Sequence, residues 1–220
     1  MRVLFSKGLV AISKPRCGST SVRRMLDPFI DRELGDLAIN MAGEHPPFHP
    51  HITAPYLQQL LQERDERAAQ LTYFTTIRHP VRMLESYYKF FQPDELSRYN
   101  FAPNWDGQTQ MSFENWILQG RVGMHPGWQA LAPGWISTQD LSPLSLEAHA
   151  AHADGSMAIP HVFLLEEPDK LREWLSERLG QDLKVQHVNQ SSDATLPSLG
   201  SESLEKIRQI MPTESRLYGI

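Results

Sequence analysis

The chain contains a single cysteine, Cys17, among its 220 residues. One thiol can form neither a disulfide within the chain nor a cysteine-based zinc cluster, and such sparse use of cysteine suits a reducing cytoplasm. Long apolar runs are also missing, because Lys7 and Gly8 interrupt the apolar residues near the N-terminus. We therefore expect no signal peptide and no membrane span, and a soluble cytoplasmic protein.

The chain also lacks an excess of positive charge. Its 21 Lys and Arg residues are outnumbered by 26 Asp and Glu residues, which gives a formal net charge of −5. We therefore expect no nucleic-acid partner, although a local basic pocket is compatible with this charge. What the chain does have is 40% hydrophobic residues, enough for a packed core, and a length that suits one domain over residues 1–220.

Short apolar runs alternate with amphipathic segments along the chain. Three runs predict buried strands: GLVAIS from Gly8, LTYFTTI from Leu71 and HVFLLEE from His161. Helical spacing predicts helices between and after them, including one over residues 54–70, one from Pro80 and a last one capped by Ser201. Residues 93–140 are expected to be irregular. The alternation predicts an α/β fold with a central, mainly parallel sheet flanked by helices.

The segment SKPRCGSTS, which follows the first predicted strand, has the composition of an anion-binding loop. A strand that leads through such a loop into a helix directs backbone N–H groups and a helix N-terminus at one spot, which attracts phosphate or sulfate. Gly18 allows close approach to the backbone. The charged and hydroxyl residues that could bind the anion are Lys14, Arg16, Ser19, Thr20 and Ser21. A plain turn with a polar helix cap would use the same residues.

Two other chemistries fit this loop. Cys17 and Arg23 have five residues between them, the spacing of a cysteine-dependent phosphatase, and a helix N-terminus would favour the thiolate. Against this, KPR separates Cys17 from the strand and no obvious aspartate acid loop follows. A nucleotide-binding kinase loop would need Gly-Lys before Ser or Thr, which GSTS lacks, although Glu166 and Glu167 could mimic a metal-holding strand end.

A second motif, TTIRHPVRMLESYY, lies at the end of the second predicted strand. Arg78 ends the strand, Pro80 starts a helix and Ser86 lies two turns along it. An arginine and a serine placed in this way can clamp a second phosphate beside the first loop. Arg82 shares a helix face with Ser86. The alternative is an arginine at the sheet edge and a serine bonded within its own helix.

Together the two motifs resemble those of the sulfotransferases that use 3′-phosphoadenosine 5′-phosphosulfate (PAPS). The similarity is greatest to the carbohydrate-type branch, which includes the heparan sulfate 2-O-sulfotransferases and bacterial relatives. PRCGSTS follows the family's first loop, with Arg16 where many members carry Lys and Cys17 where they carry Ser or Thr. Arg78, Pro80 and Ser86 match the family's Arg-x-Pro with a Ser eight residues after the Arg.

Two weaker similarities extend the resemblance. HITAPYLQQLL, from His51, resembles a His-x-x-Ala segment of bacterial members, and Asn189 and Ser191 match an Asn-x-Ser loop that precedes a C-terminal helix. The resemblance implies a P-loop NTPase-like three-layer fold and PAPS as the sulfuryl donor, without a metal. It implies that the first loop, including Cys17, binds the 5′-phosphate and that Arg78 and Ser86 bind the 3′-phosphate. The partner would be a hydroxyl-bearing acceptor, a carbohydrate or a small molecule.

The acceptor hydroxyl needs a base, and histidine suits proton transfer near neutral pH. FHPHIT supplies His51, which matches the family segment and ranks first, and His49, which ranks second. Arg16 would stabilise charge on the leaving group, a stable anion that needs no general acid. Either histidine could instead cap the helix that begins near Ala54. Four tryptophans could shape an acceptor pocket or simply pack beneath a long segment: Trp105, Trp116, Trp128 and Trp135.

Overall fold

The computed structural model describes residues 1–30, 48, 50–90, 111–120, 122, 140–184 and 195–220. The strands are β1 (Arg2–Leu4), β2 (Leu9–Ile12), β3 (Thr72–Ile77) and β4 (His161–Leu164). The α-helices are α1 (Ser19–Leu26), α2 (Ala54–Gln62), α3 (Pro80–Phe90), α4 (Phe113–Gln119), α5 (Leu146–Ala150), α6 (Pro168–Leu179), α7 (Ser201–Ile210) and α8 (Pro212–Tyr218). The chain divides into two compact units, Met1–Arg78 with His149–Ser191 and His79–Ala148 with Ser192–Ile220.

A four-stranded mixed sheet in the order β1-β2-β3-β4 belongs to the first unit. Strands β2, β3 and β4 run parallel to one another. Strand β1 is antiparallel to β2, because one short turn joins them and a short turn can join only antiparallel neighbours. That turn passes through Gly8 at φ 62°, in the left-handed region that favours glycine. The α/β class and the three expected strands are confirmed, whereas the sheet is only partly parallel.

The core of the first unit lies between one sheet face and helices α1 and α6. Alternation along β2 and β3 places Leu9, Ala11 and Phe74 on that face, where they join a buried cluster with residues of both helices. The helical members of the cluster are Val22, Met25, Leu26, Leu171, Leu175 and Leu179. Trp174 packs against this cluster, its ring centroid 5.1 Å from that of Phe74. This packing anchors α1 against β2 and so holds the loop between them at the end of the sheet.

Helix α2 is shorter than the predicted helix over residues 54–70. It ends at Gln62, and a 3₁₀ turn at Glu66–Gln70 follows it. The break has a local cause, because the Asp65 carboxylate accepts the N–H of Arg67 at 2.9 Å and so competes with helical hydrogen bonding. Within the described ranges no helix is long and apolar enough to cross a bilayer.

In the second unit, α4 packs against α3 and α7, and α8 packs against α3 and α7. Helix α4 lies inside the segment expected to be irregular. Its Trp116 is 0% exposed and stacks on Tyr87, with ring centroids 6.0 Å apart and planes 10° from parallel. Trp116 is therefore a core residue. The other three tryptophans considered for an acceptor pocket lie outside the described residues: Trp105, Trp128 and Trp135.

The N-terminus of α7 is capped from another helix. Ser201, the cap predicted from the sequence, is instead the first helical residue, and Gly200 occupies the cap position without a side chain to contribute. Glu114 of α4 supplies the acceptor: its Oε1 accepts the N–H of Gly200 at 2.6 Å and the hydroxyl of Ser203 at 3.2 Å. One carboxylate thereby joins α4 to α7.

We expect Glu114→Ala to lower the free energy of unfolding by about 1 kcal/mol, because the start of α7 loses its acceptor. Ser201→Ala is the matched control and should change it by less than about 0.5 kcal/mol, as exposed substitutions usually do. Urea unfolding of both variants measures the difference. A larger loss for Ser201→Ala would return the capping role to Ser201.

Candidate anion-binding site

The loop between β2 and α1 lies at the carboxyl edge of the parallel strands. Ile12 pairs with Thr75, and Ile77 pairs with Leu164, so β2, β3 and β4 end at the same edge. The loop Ser13–Gly18, Arg78 and Leu165 directly follow these strand ends, and the N–H of Leu165 bonds the carbonyl of Ile77 at 2.8 Å. In open α/β sheets this is the edge at which ligands bind.

The start of α1 offers unused hydrogen-bond donors. Gly18 is the N-cap residue and no side chain caps the helix. The N–H groups of Ser21 and Val22 both donate to the carbonyl of Gly18, at 3.0 and 3.2 Å. Within the described part of the chain, by contrast, no protein acceptor meets the N–H groups of Gly18, Ser19 and Thr20. Such donors at a helix N-terminus, where the helix dipole is positive, favour an anion.

Side chains from other parts of the first unit form hydrogen bonds to three backbone carbonyls, at the end of β2 and in the loop that follows it. The Thr75 hydroxyl donates to the carbonyl of Ile12 at 2.9 Å, and the Thr76 hydroxyl donates to that of Cys17 at 2.5 Å. His51 Nδ1 lies 2.6 Å from the carbonyl oxygen of Ser13. The bonds to Ser13 and Cys17 span 38 and 59 residues of sequence and fix how these peptide groups of the loop are oriented, whereas the carbonyl of Ile12 belongs to strand β2.

The contact with Ser13 also fixes the tautomer of His51. A carbonyl oxygen only accepts, so Nδ1 carries the hydrogen, and the neutral ring has its lone pair on Nε2. The side chain of His51 is half-buried. The histidine that the sequence ranked first as the base therefore bonds the candidate loop through Nδ1. His49, which ranked second, lies outside the described residues.

Two residues of the loop have left-handed backbone conformations. Gly18 has φ 77° and Arg16 has φ 59°, the one positive φ among the described non-glycine residues. A Cβ atom at position 18 would run into the side chain of Leu165, which follows β4. Glycine is therefore favoured at position 18 by its φ angle, and any Cβ there would also require the end of the Leu165 side chain to shift.

The cationic side chains near the loop differ in their surroundings. Lys14 is 1% exposed, whereas Arg16 is exposed. Arg23, one turn along α1, is half-buried, and its Nη2 donates to Thr20 Oγ1 at 3.5 Å. Burial, and then the charge of Arg2, hold the pKa of Arg23 below its ordinary value. An anion bound at the start of α1 would relieve this crowding of positive charge.

The thiol of Cys17 does not face solvent. Its side chain is 0% exposed, and its residue is held in the loop by the hydrogen bond from Thr76. A cysteine nucleophile has to be accessible and ionised, and this burial provides neither condition.

The remaining predicted site residues are distributed as follows. Arg78 ends the first unit, half-buried, directly after β3. Ser86 and Arg82 lie on α3 in the second unit, and Asn189 and Ser191 lie outside the described residues. The described ranges contain no group of three or more His, Cys, Asp or Glu residues that could hold a metal ion.

Sequence reasoning missed the residues that bond or contact the end of β2 and the loop that follows it. Thr75, Thr76 and Leu165 were interpreted only as members of apolar strands. The one signal in the sequence is the pair of threonines in TYFTTI, since two adjacent hydroxyls in a buried strand both need a partner.

We expect Gly18→Ala to lower the free energy of unfolding by more than Gly155→Ala does. Both changes force an alanine into the left-handed region, at φ 77° and φ 83°, which costs about 1–2 kcal/mol. Only the Cβ at position 18 meets a neighbour, because Gly155 has open space around it. Urea unfolding compares the two, and equal losses would show that the contact with Leu165 is unimportant.

Comparisons of the chain with protein-family models, with curated proteins and with solved structures found no match. The function is therefore inferred from the chemistry and geometry of the loop, together with the two sequence motifs.

Proposed function

We propose that this protein is a sulfotransferase that moves a sulfuryl group from PAPS to an acceptor hydroxyl. The observation that carries the proposal is the hydrogen bond between His51 and Ser13, at 2.6 Å. It joins a candidate base to a loop whose first helical N–H groups have no protein acceptor among the described residues. A base beside an anion-binding loop is what transfer of an anionic group to a hydroxyl requires.

The finer fold assignment belongs to the same proposal. A strand, an anion-binding loop and a helix, followed in the sheet by two parallel strands, are the elements of a P-loop NTPase-like core with helices on both faces of its sheet. Here the loop joins β2 to α1, and β3 and β4 are the parallel neighbours.

The residues of the loop fit a phosphate-like group. The N–H groups of Gly18, Ser19 and Thr20 and the hydroxyls of Ser19, Thr20 and Ser21 would donate to the 5′-phosphate. Arg78 would bind the 3′-phosphate, and the sequence motif assigns Ser86 to the same phosphate. The sequence motif likewise assigns Asn189 and Ser191 to the nucleotide.

When bound, PAPS supplies the sulfuryl group, and adenosine 3′,5′-bisphosphate is the other product. His51 Nε2 would take the proton of the acceptor hydroxyl while Nδ1 keeps its hydrogen on the carbonyl of Ser13. Arg16, which is exposed at the loop, would stabilise the charge that develops on the 5′-phosphate side. The acceptor class, a carbohydrate or a small molecule with a hydroxyl, follows from the family resemblance.

The two other interpretations of the loop have less support. The phosphatase interpretation needs an accessible Cys17 thiolate, and this side chain is 0% exposed. The kinase interpretation needs a Gly-Lys-Ser/Thr sequence that GSTS does not contain.

We expect adenosine 3′,5′-bisphosphate to raise the melting temperature without added metal, and to do so more than 5′-AMP. At a free concentration 100 times its Kd, the nucleotide would add about 2.7 kcal/mol to the free energy of unfolding. A thermal-shift series with this nucleotide, 5′-AMP, Mg-ATP and vanadate separates the candidate functions. Stabilisation by Mg-ATP alone would identify a kinase-like site, and stabilisation by vanadate alone a phosphatase.

A variant tests whether Arg78 binds the 3′-phosphate. Arg78→Ala should weaken adenosine 3′,5′-bisphosphate by ~2–4 kcal/mol in calorimetry, as loss of a charge-assisted pair does, and should affect 5′-AMP much less. Arg208→Ala is the control, because Arg208 pairs with Glu205 on the surface of α7. Equal losses of affinity for both nucleotides would show that Arg78 does not bind the 3′-phosphate.

We expect His51→Ala to lower turnover by ~10²–10⁴-fold, the usual effect of losing a general base. Affinity for adenosine 3′,5′-bisphosphate should fall much less, because one loop carbonyl loses its donor while the N–H groups of α1 remain. Turnover of the wild type should fall as the pH drops through the range in which imidazoles ordinarily become protonated. His49→Ala is the comparison variant, and an inactive His49→Ala beside a normal His51→Ala would exchange their roles.

A further inference from the structure

Thr76 makes a long-range hydrogen bond that the proposed reaction does not yet use. Its hydroxyl donates to the carbonyl of Cys17 at 2.5 Å, across 59 residues of sequence. Thr76 lies on β3, two residues before Arg78, and is 3% exposed. Its hydroxyl therefore has no access to solvent and serves a partner inside the protein.

The geometry of the peptide unit links this bond to the site. A trans peptide is planar, so the carbonyl of residue 17 and the N–H of residue 18 point in opposite directions. Because Thr76 holds the Cys17 carbonyl on its own side, the N–H of Gly18 points away from Thr76. That N–H meets no acceptor among the described residues, and it precedes the two similarly uncommitted N–H groups of Ser19 and Thr20.

Without such a restraint, the peptide between Cys17 and Gly18 could flip at a low cost in free energy. A flip of the peptide between Cys17 and Gly18 would change the φ angle of Gly18, and glycine tolerates both signs of φ. A flipped peptide would direct the Cys17 carbonyl, an acceptor, at the place where the anion is to bind. The hydroxyl of Thr76 prevents this, because the carbonyl would lose its donor.

We propose that Thr76 is a positioning residue that aims the Gly18 N–H at the bound anion. This inference rests on the proposed anion-binding role of the loop and deepens it. Thr75 provides a matched comparison: its hydroxyl also bonds a carbonyl, that of Ile12 at 2.9 Å, but this carbonyl belongs to strand β2 and lies before the loop. Thr75 should therefore matter for stability and not for the anion.

The test compares Thr76→Val, Thr76→Ser and Thr75→Val in the full chain. Calorimetry would measure affinity for adenosine 3′,5′-bisphosphate and for inorganic pyrophosphate, and thermal unfolding would measure stability. Thr76→Val should weaken both anions about 10-fold, since a buried carbonyl loses its donor. Thr76→Ser should restore binding to within about 2-fold, because it keeps the hydroxyl. Thr75→Val should lower the melting temperature and leave both affinities unchanged.

A readout on the wild type does not depend on any variant folding. The amide resonance of Gly18 should shift on saturation with pyrophosphate, whereas amides of α6 should not. If the Gly18 amide stays in place, or if Thr76→Val binds both anions normally, the positioning role is wrong.

The outcomes also separate this inference from the proposed function. If pyrophosphate binding depends on Thr76 but adenosine 3′,5′-bisphosphate binds no better than pyrophosphate, the positioning role is supported and the PAPS site is wrong. If the nucleotide binds tightly and Thr76→Val has no effect, the function is supported and the positioning role is wrong. If the wild type binds neither anion, both are wrong.

Discussion

The candidate site depends on the planarity of the trans peptide group, which points its C=O and its N–H in opposite directions. Side chains from β3 and the segment before α2 hold the carbonyl ends at Ser13 and Cys17 within the loop. The N–H ends of the peptides that follow are thereby turned the other way. If the loop binds an anion as proposed, it would not need a glycine-rich sequence, because the neighbouring sheet supplies restraints that a longer loop would need from its own residues.

Charge is arranged locally in a chain that is acidic overall. The formal net charge is −5, yet Arg2, Arg16 and Arg23 all lie in the first part of the chain, with Arg23 half-buried beside Thr20. In the proposed site, neutral N–H donors at the start of α1 would supply most of the contacts to the anion, since they stabilise it without the cost of burying further cations. Such a site would attract an anion over short distances and would give little long-range attraction to polyanions.

The parts that were predicted from the sequence are those with a repeating or compositional signal. Continuous apolar runs located β2, β3 and β4, and Pro80 marked the start of α3. Strand β1 has only three residues, too few to show a pattern, and the end of α2 depended on one Asp65 side chain. The contact between His51 and Ser13 had no signal at all, because any residue provides a backbone carbonyl. Composition identifies which residues could act, and folding alone decides which carbonyl each one meets.

The thiol of Cys17 can report when the loop becomes exposed to solvent. It is the one cysteine in the chain, and its side chain is fully buried within the loop. A thiol reagent can reach it only when the loop or the whole unit opens, so the rate of labelling in the native protein measures the frequency of that opening. Because no second thiol competes, all labelling of the unmodified protein occurs in this loop, and no engineered probe is needed to follow its exposure.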